Sequence, residues 1–255
     1  MIHSFRRIRQ GLLSQNRFSK YMLYAIGEIV LIVVGILIAL SINNWNEEKK
    51  NKRAAVEIYK NLQYSLKQDS SEVVKILGLQ KKSLQTQKRI FLNNVDEFEA
   101  EIANGKLDSI IQDLLFGAFS LYPKNGIYNL IVSNNEMDLL ESDVIKRALN
   151  NLYEFSYKRY ENLDPVIEHK FQYQMSPLVS KKIGFVIEFD SGVEIVSNAV
   201  PKLFRENYDE LSEECRDLFS VLSSINDLLK NIELEINELL SLIEIEIELE
   251  LEKNR

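Results

Sequence analysis

Apolar and polar residues follow three different periods along this chain, and each period predicts a different element. From Tyr21 to Ile42, YMLYAIGEIVLIVVGILIALSI, no face is polar and Glu28 is the one ionisable residue. A helix needs roughly 20 such residues to cross a bilayer, so this stretch predicts a single membrane span. No Pro or Gly interrupts the chain from Ser41 to Leu77, and Leu62, Leu66, Val73, Leu77, Leu84 and Phe91 continue an apolar stripe at helical spacing. The span is therefore expected to run on into the body's first helix, roughly 100 Å long at 1.5 Å per residue if it is unbroken to Phe91. Gly78 is its candidate kink.

Near the other end, Leu218, Leu222, Ile225, Leu229, Ile232, Ile236, Leu239 and Ile243 alternate by four and three residues without a miss. This heptad seam requires a partner helix, either the body's own first helix or one from another subunit. The helix that carries it is expected to begin near Pro201, giving a coiled-coil-like segment over 202–243. After Ile243 the period drops to two, IEIEIELELE, with no basic residue until Lys253. Mutual repulsion of the glutamates predicts fraying or a helix with poor facial segregation, and the period alone also permits a strand.

Between these two ends, a helix is expected over Val95–Ala118, a turn at Pro123-Lys124-Asn125-Gly126, a short helix over Tyr128–Val132 and a break at Ser133-Asn134-Asn135. Ser142 predicts the N-cap of a helix from Asp143 to about Asn162. Asp164 predicts the cap of a further helix that opens with Pro165 at its first position, where proline is tolerated. Ile183–Val196, IGFVIEFDSGVEIV, departs from the helical pattern and reads either as a hairpin around Asp190-Ser191-Gly192 or as an irregular crossover. The fold class is all-α, with one N-terminal transmembrane helix continuing into an extended helical bundle and coiled coil. A small β-hairpin at 183–196 is the candidate exception. The domain organisation follows: a basic amphipathic segment over 1–20, the span over 21–42 and a soluble helical domain over 43–252.

Composition agrees with these elements. Of 255 residues, 45% are hydrophobic and 27% charged, while Gly and Pro number only 9 and 4, a bias that suits long helices. The net charge of −7 is unevenly spread. Arg6, Arg7, Arg9, Arg17 and Lys20 precede the span with no acid among them; setting these and Glu28 aside leaves 26 basic against 37 acidic residues. An acidic body argues against nucleic-acid binding, for which a basic face is the expected footprint. Cys215 is the single cysteine, so no intramolecular disulfide forms, and its neighbours Glu213 and Glu214 disfavour a reactive thiolate.

Three readings compete for Tyr21–Ile42. A buried core helix would carry a polar stripe, and a cleaved signal peptide has a shorter apolar region of about 7–15 residues. An uncleaved signal anchor fits best, with Tyr21, Tyr24 and Trp45 at its two edges, where amphipathic aromatics favour the interface. Basic residues flank both ends, so orientation is decided by size: a short basic leader stays inside and a long domain translocates. The expected orientation has the N-terminus inside and the body outside the cytoplasmic membrane, either periplasmic or extracellular. In the leader, Ile2, Phe5, Ile8, Leu12 and Leu13 share an arc opposite Arg6, Arg7, Gln10 and Arg17. That pattern serves either as a helix lying in anionic headgroups or as a topology signal alone.

An ionisable residue within a span is a functional hypothesis by default. Glu28 shares a helical face with Tyr24, Leu31, Gly35, Ile38 and Ile42, with Gly27 and Ala39 beside it, and Gly35-x-x-x-Ala39 is a small-x-x-x-small pair that lets helices approach closely. Gly27, Glu28, Gly35 and Ala39 are therefore the candidate helix-association site. Glu28 as a proton or ion carrier beside a multi-span partner, and Glu28 snorkelling to the interface, are the competing readings.

No catalytic constellation is legible. His3 and His169 are the only histidines, no Ser-His-Asp, Cys-His or HExxH arrangement can be assembled, and there is no Gly-rich phosphate loop. No enzyme, cofactor or metal is expected. The expected partners are the lipid bilayer and either a second copy of the chain or another membrane protein.

Two blocks, Phe18–Glu48 (FSKYMLYAIGEIVLIVVGILIALSINNWNEE) and Pro123–Glu154 (PKNGIYNLIVSNNEMDLLESDVIKRALNNLYE), resemble a domain-of-unknown-function family of small signal-anchored membrane proteins of Gram-negative bacteria. Phe18, Tyr21, Gly27, Glu28, Gly35, Asn43, Asn44, Trp45 and Asn46 carry the likeness in the anchor, and Asn125, Gly126 and Tyr128 in the centre. The centre departs from the pattern at Ser133-Asn134-Asn135, where a Ser-Gly turn is expected. The resemblance implies a single-pass protein with a helical body and brings no activity. Two functions fit: a non-enzymatic envelope protein that works by helix–helix association, or an accessory subunit of a transport or energy-coupling complex that uses Glu28.

Overall fold

The computed structural model describes residues 18–185 and 199–253, and every regular element among them is helical. The chain divides into two units, Met1–Ala55 and Val56–Arg255. The first helix, α1 (Phe18–Leu92), supplies the described part of the first unit and the opening helix of the second, and it runs through Gly78 without a break. Within the first unit its apolar window, with a mean hydropathy of 2.8, is wholly unburied. It is long and apolar enough to cross a membrane.

The second unit is organised by three helical runs. One is the body portion of α1. Its buried positions include Leu62, Leu66, Asp69, Val73, Ile76, Gln80, Ser83, Gln87 and Ile90. These alternate by four and three residues, so this face too has a heptad period. The expected stripe is right as far as Val73 and then one residue out of phase: Leu77, Leu84 and Phe91 flank the core rather than line it. Polar side chains hold the true seam because they are bonded there. Gln80 accepts a hydrogen bond from Asn226 at 3.1 Å, and Ser83 donates to the Leu114 carbonyl at 2.7 Å.

The second run is continuous from Asp143 to Ile183: α5 (Asp143–Asn151), α6 (Tyr157–Lys170) and α7 (Ser176–Leu178), joined and closed by π-turns at Leu152–Ser156, Phe171–Met175 and Val179–Ile183. Ser142 caps it as expected, its Oγ accepting from the Ile145 N–H at 3.4 Å. The expected break at Asp164-Pro165 does not occur. Pro165 lies inside α6, and Asp164 instead accepts a hydrogen bond from the Tyr160 hydroxyl at 2.7 Å. An interior proline costs about 3 kcal/mol or more; here Tyr157, Tyr160, Ile167 and Phe171, all buried, hold the helix through it.

The π-turns have a physical reason. Ile167, Phe171, Met175, Val179 and Ile183 are buried at a constant spacing of four. In a plain α-helix each such step overshoots a full turn by about 40°, so the stripe would drift to the far side. Two π-turns within it add residues without adding turns and keep all five on one face.

The third run is α9 (Tyr208–Lys253), preceded by α8 (Pro201–Glu206): Pro201 opens a helix, but a break at Asn207 separates that helix from the one carrying the seam, which was expected to begin near Pro201 and starts at Tyr208. It lies antiparallel to the body portion of α1: Tyr208 donates to the Ile90 carbonyl at 2.9 Å, the Phe91 and Phe219 rings meet edge-on at 5.2 Å, and Asn226 reaches Gln80. The period-two tail remains helical to Lys253 rather than forming a strand.

The smaller elements pack around these three runs. The helix expected over Val95–Ala118 is split into a 3-10 turn (Val95–Phe98), α2 (Glu99–Ala103), α3 (Leu107–Leu115) and a second 3-10 turn (Phe116–Ala118). The split falls where Gly105 adopts φ +68°, which glycine allows at little cost. α4 (Gly126–Ser133) is followed by Asn135, also left-handed at φ 55°. Ile183 is helical and Gly184 terminates its helix at φ 81°; Val186–Val196 of the expected hairpin lie outside the described residues.

Candidate functional site

In the first unit, Gly27, Glu28, Gly35 and Ala39 are exposed. A Cβ built at Gly27 or Gly35 would meet no atom within 4 Å among the described residues, so none of those residues covers this face of the helix. The heptad seam behaves differently. Leu218, Leu222, Ile225, Leu229, Ile232, Ile236, Leu239 and Ile243 are each at most 1% exposed, covered by the body's own helices.

A polar and aromatic cluster in the second unit was not anticipated from the sequence. Asp69, buried on α1, accepts from the Tyr157 hydroxyl at 2.8 Å and from the Lys124 backbone N–H at 3.0 Å. Burial pushes its carboxyl above the usual range, opposed by those two donors. Tyr153 packs edge-on against Tyr157 at 5.2 Å and stacks flat on Tyr128 at 4.3 Å, and Tyr128 donates to Asn150 at 3.0 Å. About one turn beyond Tyr157, Tyr160 accepts from the Leu121 N–H at 3.0 Å. Asp69 and Tyr160 thus satisfy two backbone amides of the irregular segment before α4, and the cluster clamps that loop. Burial pushes the Tyr153 and Tyr157 phenols well above the ordinary tyrosine range, so both stay neutral.

Outside the clamp lies a cleft of about 510 Å³ lined by Tyr128, Val132, Asn135, Met137, Asp138, Asn150 and Glu154. Its chemistry is mixed, and Glu154 is already paired with Lys158. Cys215 is fully buried on α9, where burial pushes the thiol up, as expected of a structural cysteine. At the other end of α9, Glu246 and Glu250 meet Glu141, with one carboxylate oxygen from each lying within 4.8 Å of the others. The i, i+4 spacing of Glu246 and Glu250 was visible in the sequence; the approach of Glu141 from before Ser142 was not.

No curated protein and no solved structure matches this chain. A family model does match, over residues 28–177, which takes in Glu28, the whole Asp69 clamp and the cleft. The chain belongs to that family, a family of unknown function (DUF6090).

Proposed function

We propose that this is a single-pass, membrane-anchored envelope protein that works without catalysis, through helix–helix association in the bilayer. Its span is Tyr21–Ile42, with the N-terminus cytoplasmic and the body periplasmic. One observation carries the reading: the body covers its own heptad seam, whereas no described residue covers the face bearing Gly27, Glu28, Gly35 and Ala39. Small residues let a second helix approach that face, and Glu28 can hydrogen-bond across it. The bonding partner is a second copy of the chain or another membrane protein.

Crosslinking in native membranes, followed by purification in mild detergent, tests this. Self-oligomers that weaken in Gly35→Leu and Glu28→Gln are expected; an oligomer distribution unchanged in both variants refutes the assignment. Recovery of a multi-span partner at fixed stoichiometry would favour the accessory-subunit reading, in which Glu28 faces an ion path. Orientation is checked separately by alkaline phosphatase fusions, expected to be active when joined after the body.

A further inference from the structure

We propose that the part of α1 just past the span, residues 43–53, binds anionic phospholipid headgroups through Trp45, Lys49, Lys50 and Arg53. The site rests on the anchor reading above and adds to it a class of lipid. Four cations, Lys49, Lys50, Lys52 and Arg53, fall within five residues of a chain whose net charge is −7. Lys52 is paired with Glu48 at 2.7 Å. Lys49, Lys50 and Arg53 are exposed and make no ion pair among the described residues. In residues 43–55 these three cations are therefore set against Glu47 as the one remaining acid.

Helix geometry brings the cations to the headgroups. Each Cα–Cβ bond tilts toward a helix's N-terminus, and here that direction is toward the span. Two side chains show the reach: Lys49 Nζ lies 5.4 Å from the Trp45 ring centroid, and the Lys52 ammonium meets Glu48, each one turn back. Trp45 stands three residues past Ile42, about 5 Å beyond the apolar edge. That level falls within the headgroup layer, about 5–8 Å deep on each side of the hydrocarbon core. Lys49 leaves the helix about 10 Å out, and its ammonium returns to the level of the indole. Lys50 follows by the same tilt, and Arg53 stands within about 8 Å, one Debye length, of the layer. Trp45 is 63% exposed, as an interfacial aromatic requires. Asn43, Asn44 and Asn46, also exposed, add uncharged amide donors at that level. Phosphate oxygens are the acceptors such donors fit, and an anionic surface is what the charge selects. A free phosphate has the same oxygens, but the indole and the adjoining span favour one that belongs to a lipid.

Trp45 is the only tryptophan of the chain, so its fluorescence reports this position alone. The test reconstitutes the full-length protein into vesicles of equal parts phosphatidylcholine and phosphatidylglycerol, with bromine on the acyl chains of one lipid or the other. Stronger quenching by the brominated phosphatidylglycerol is expected, a preference of about fivefold, the effect of one lysine in a headgroup layer. The preference should shrink in about 1 M salt, where the Debye length is about 3 Å, and vanish when Lys49→Gln, Lys50→Gln and Arg53→Gln are combined. All three positions are exposed, so helicity by circular dichroism should not change. The leader keeps its five basic residues in that variant, so the orientation signal is not reversed. Equal quenching by the two lipids, or a preference retained in the triple variant, would overturn the headgroup site and leave the anchor standing. Quenching by neither lipid would place Trp45 away from any bilayer and overturn both. A preference abolished by sodium phosphate but not by sodium chloride of equal ionic strength would overturn the lipid assignment in favour of free phosphate.

Discussion

Asp69 shows how one side chain can contradict the pattern that surrounds it. It occupies a position that its helix's heptad reserves for apolar groups, and it stays there because Tyr157 and the Lys124 N–H both donate to it. Asp69→Ala leaves a buried hydroxyl and a buried amide without an acceptor and is expected to cost roughly 2–4 kcal/mol in chemical unfolding. Asp69→Asn keeps an acceptor and removes a desolvated charge, so it should be far milder. The pH dependence has a definite sign. A carboxyl whose folded-state pKa is raised binds its proton more tightly when folded, so stability falls as pH rises from the unfolded value through the folded one. The wild type should therefore lose stability relative to Asp69→Asn across the window above the ordinary aspartate range; parallel pH profiles for the two proteins would refute this. Gly117 is a sharper case. A Cβ there would come within 2.4 Å of Phe171 and 2.9 Å of both Leu222 and Ser83, one residue from each of the three long runs. Gly117→Ala should destabilise by about 1–3 kcal/mol through overpacking. The stripe read from the sequence stepped over Asp69, because the loop amide that justifies it lies 55 residues away.

At the scale of elements, local signals served where the chain is governed locally. Ser142, Pro201 and the Pro123–Gly126 turn announce their roles within four residues. Replacing Ser142 with Ala should cost about 1 kcal/mol, the usual worth of a cap, measurable as a lowered denaturation midpoint. Where tertiary packing overrides propensity, local signals mislead. Pro165 looks like a helix start and is a helix interior, because Tyr157 and Tyr160, in the turns before it, are tied to other parts of the body. The stripe on α1 slipped by one residue after Val73 because four buried polar groups, Gln80, Ser83, Thr86 and Gln87, take places that an apolar count skips. Asn226 and Gln80 satisfy each other across α1 and α9, and a bonded polar pair in a seam specifies register. Replacing both with Leu should raise stability yet reduce uniqueness, visible as broadened amide resonances.

For the whole molecule, the division of labour was legible because it rests on composition and period. An all-apolar run and a strict heptad are long signals, and their sum over twenty residues outweighs any single exception. Whether the heptad was used inside the chain or on a partner was not legible, since a seam has the same period in either case. The body covers that seam from within, and Cys215 is buried on the same helix. In the folded protein Cys215 should resist thiol reagents, reacting only at the rate at which the bundle opens; rapid labelling under native conditions would show that the bundle is looser than its buried seam implies.

The π-turns of the central helix carry a consequence of another kind, one of counting. Gln172 is exposed, and its replacement by alanine should be nearly silent. Deleting it is a different operation. A π-turn holds one residue more than an α-turn for about the same rotation, so removing one residue from Phe171–Met175 lets the segment close as an ordinary α-helix and leaves Met175, Val179 and Ile183 close to their phase. The same deletion in the α-helical stretch Tyr157–Lys170 would rotate everything after it by about 100°. The first deletion should thus lower the denaturation midpoint far less than the second, and equal losses would refute this. Gln172 occupies a place where the count can change by one while the residues on either side still arrive in phase.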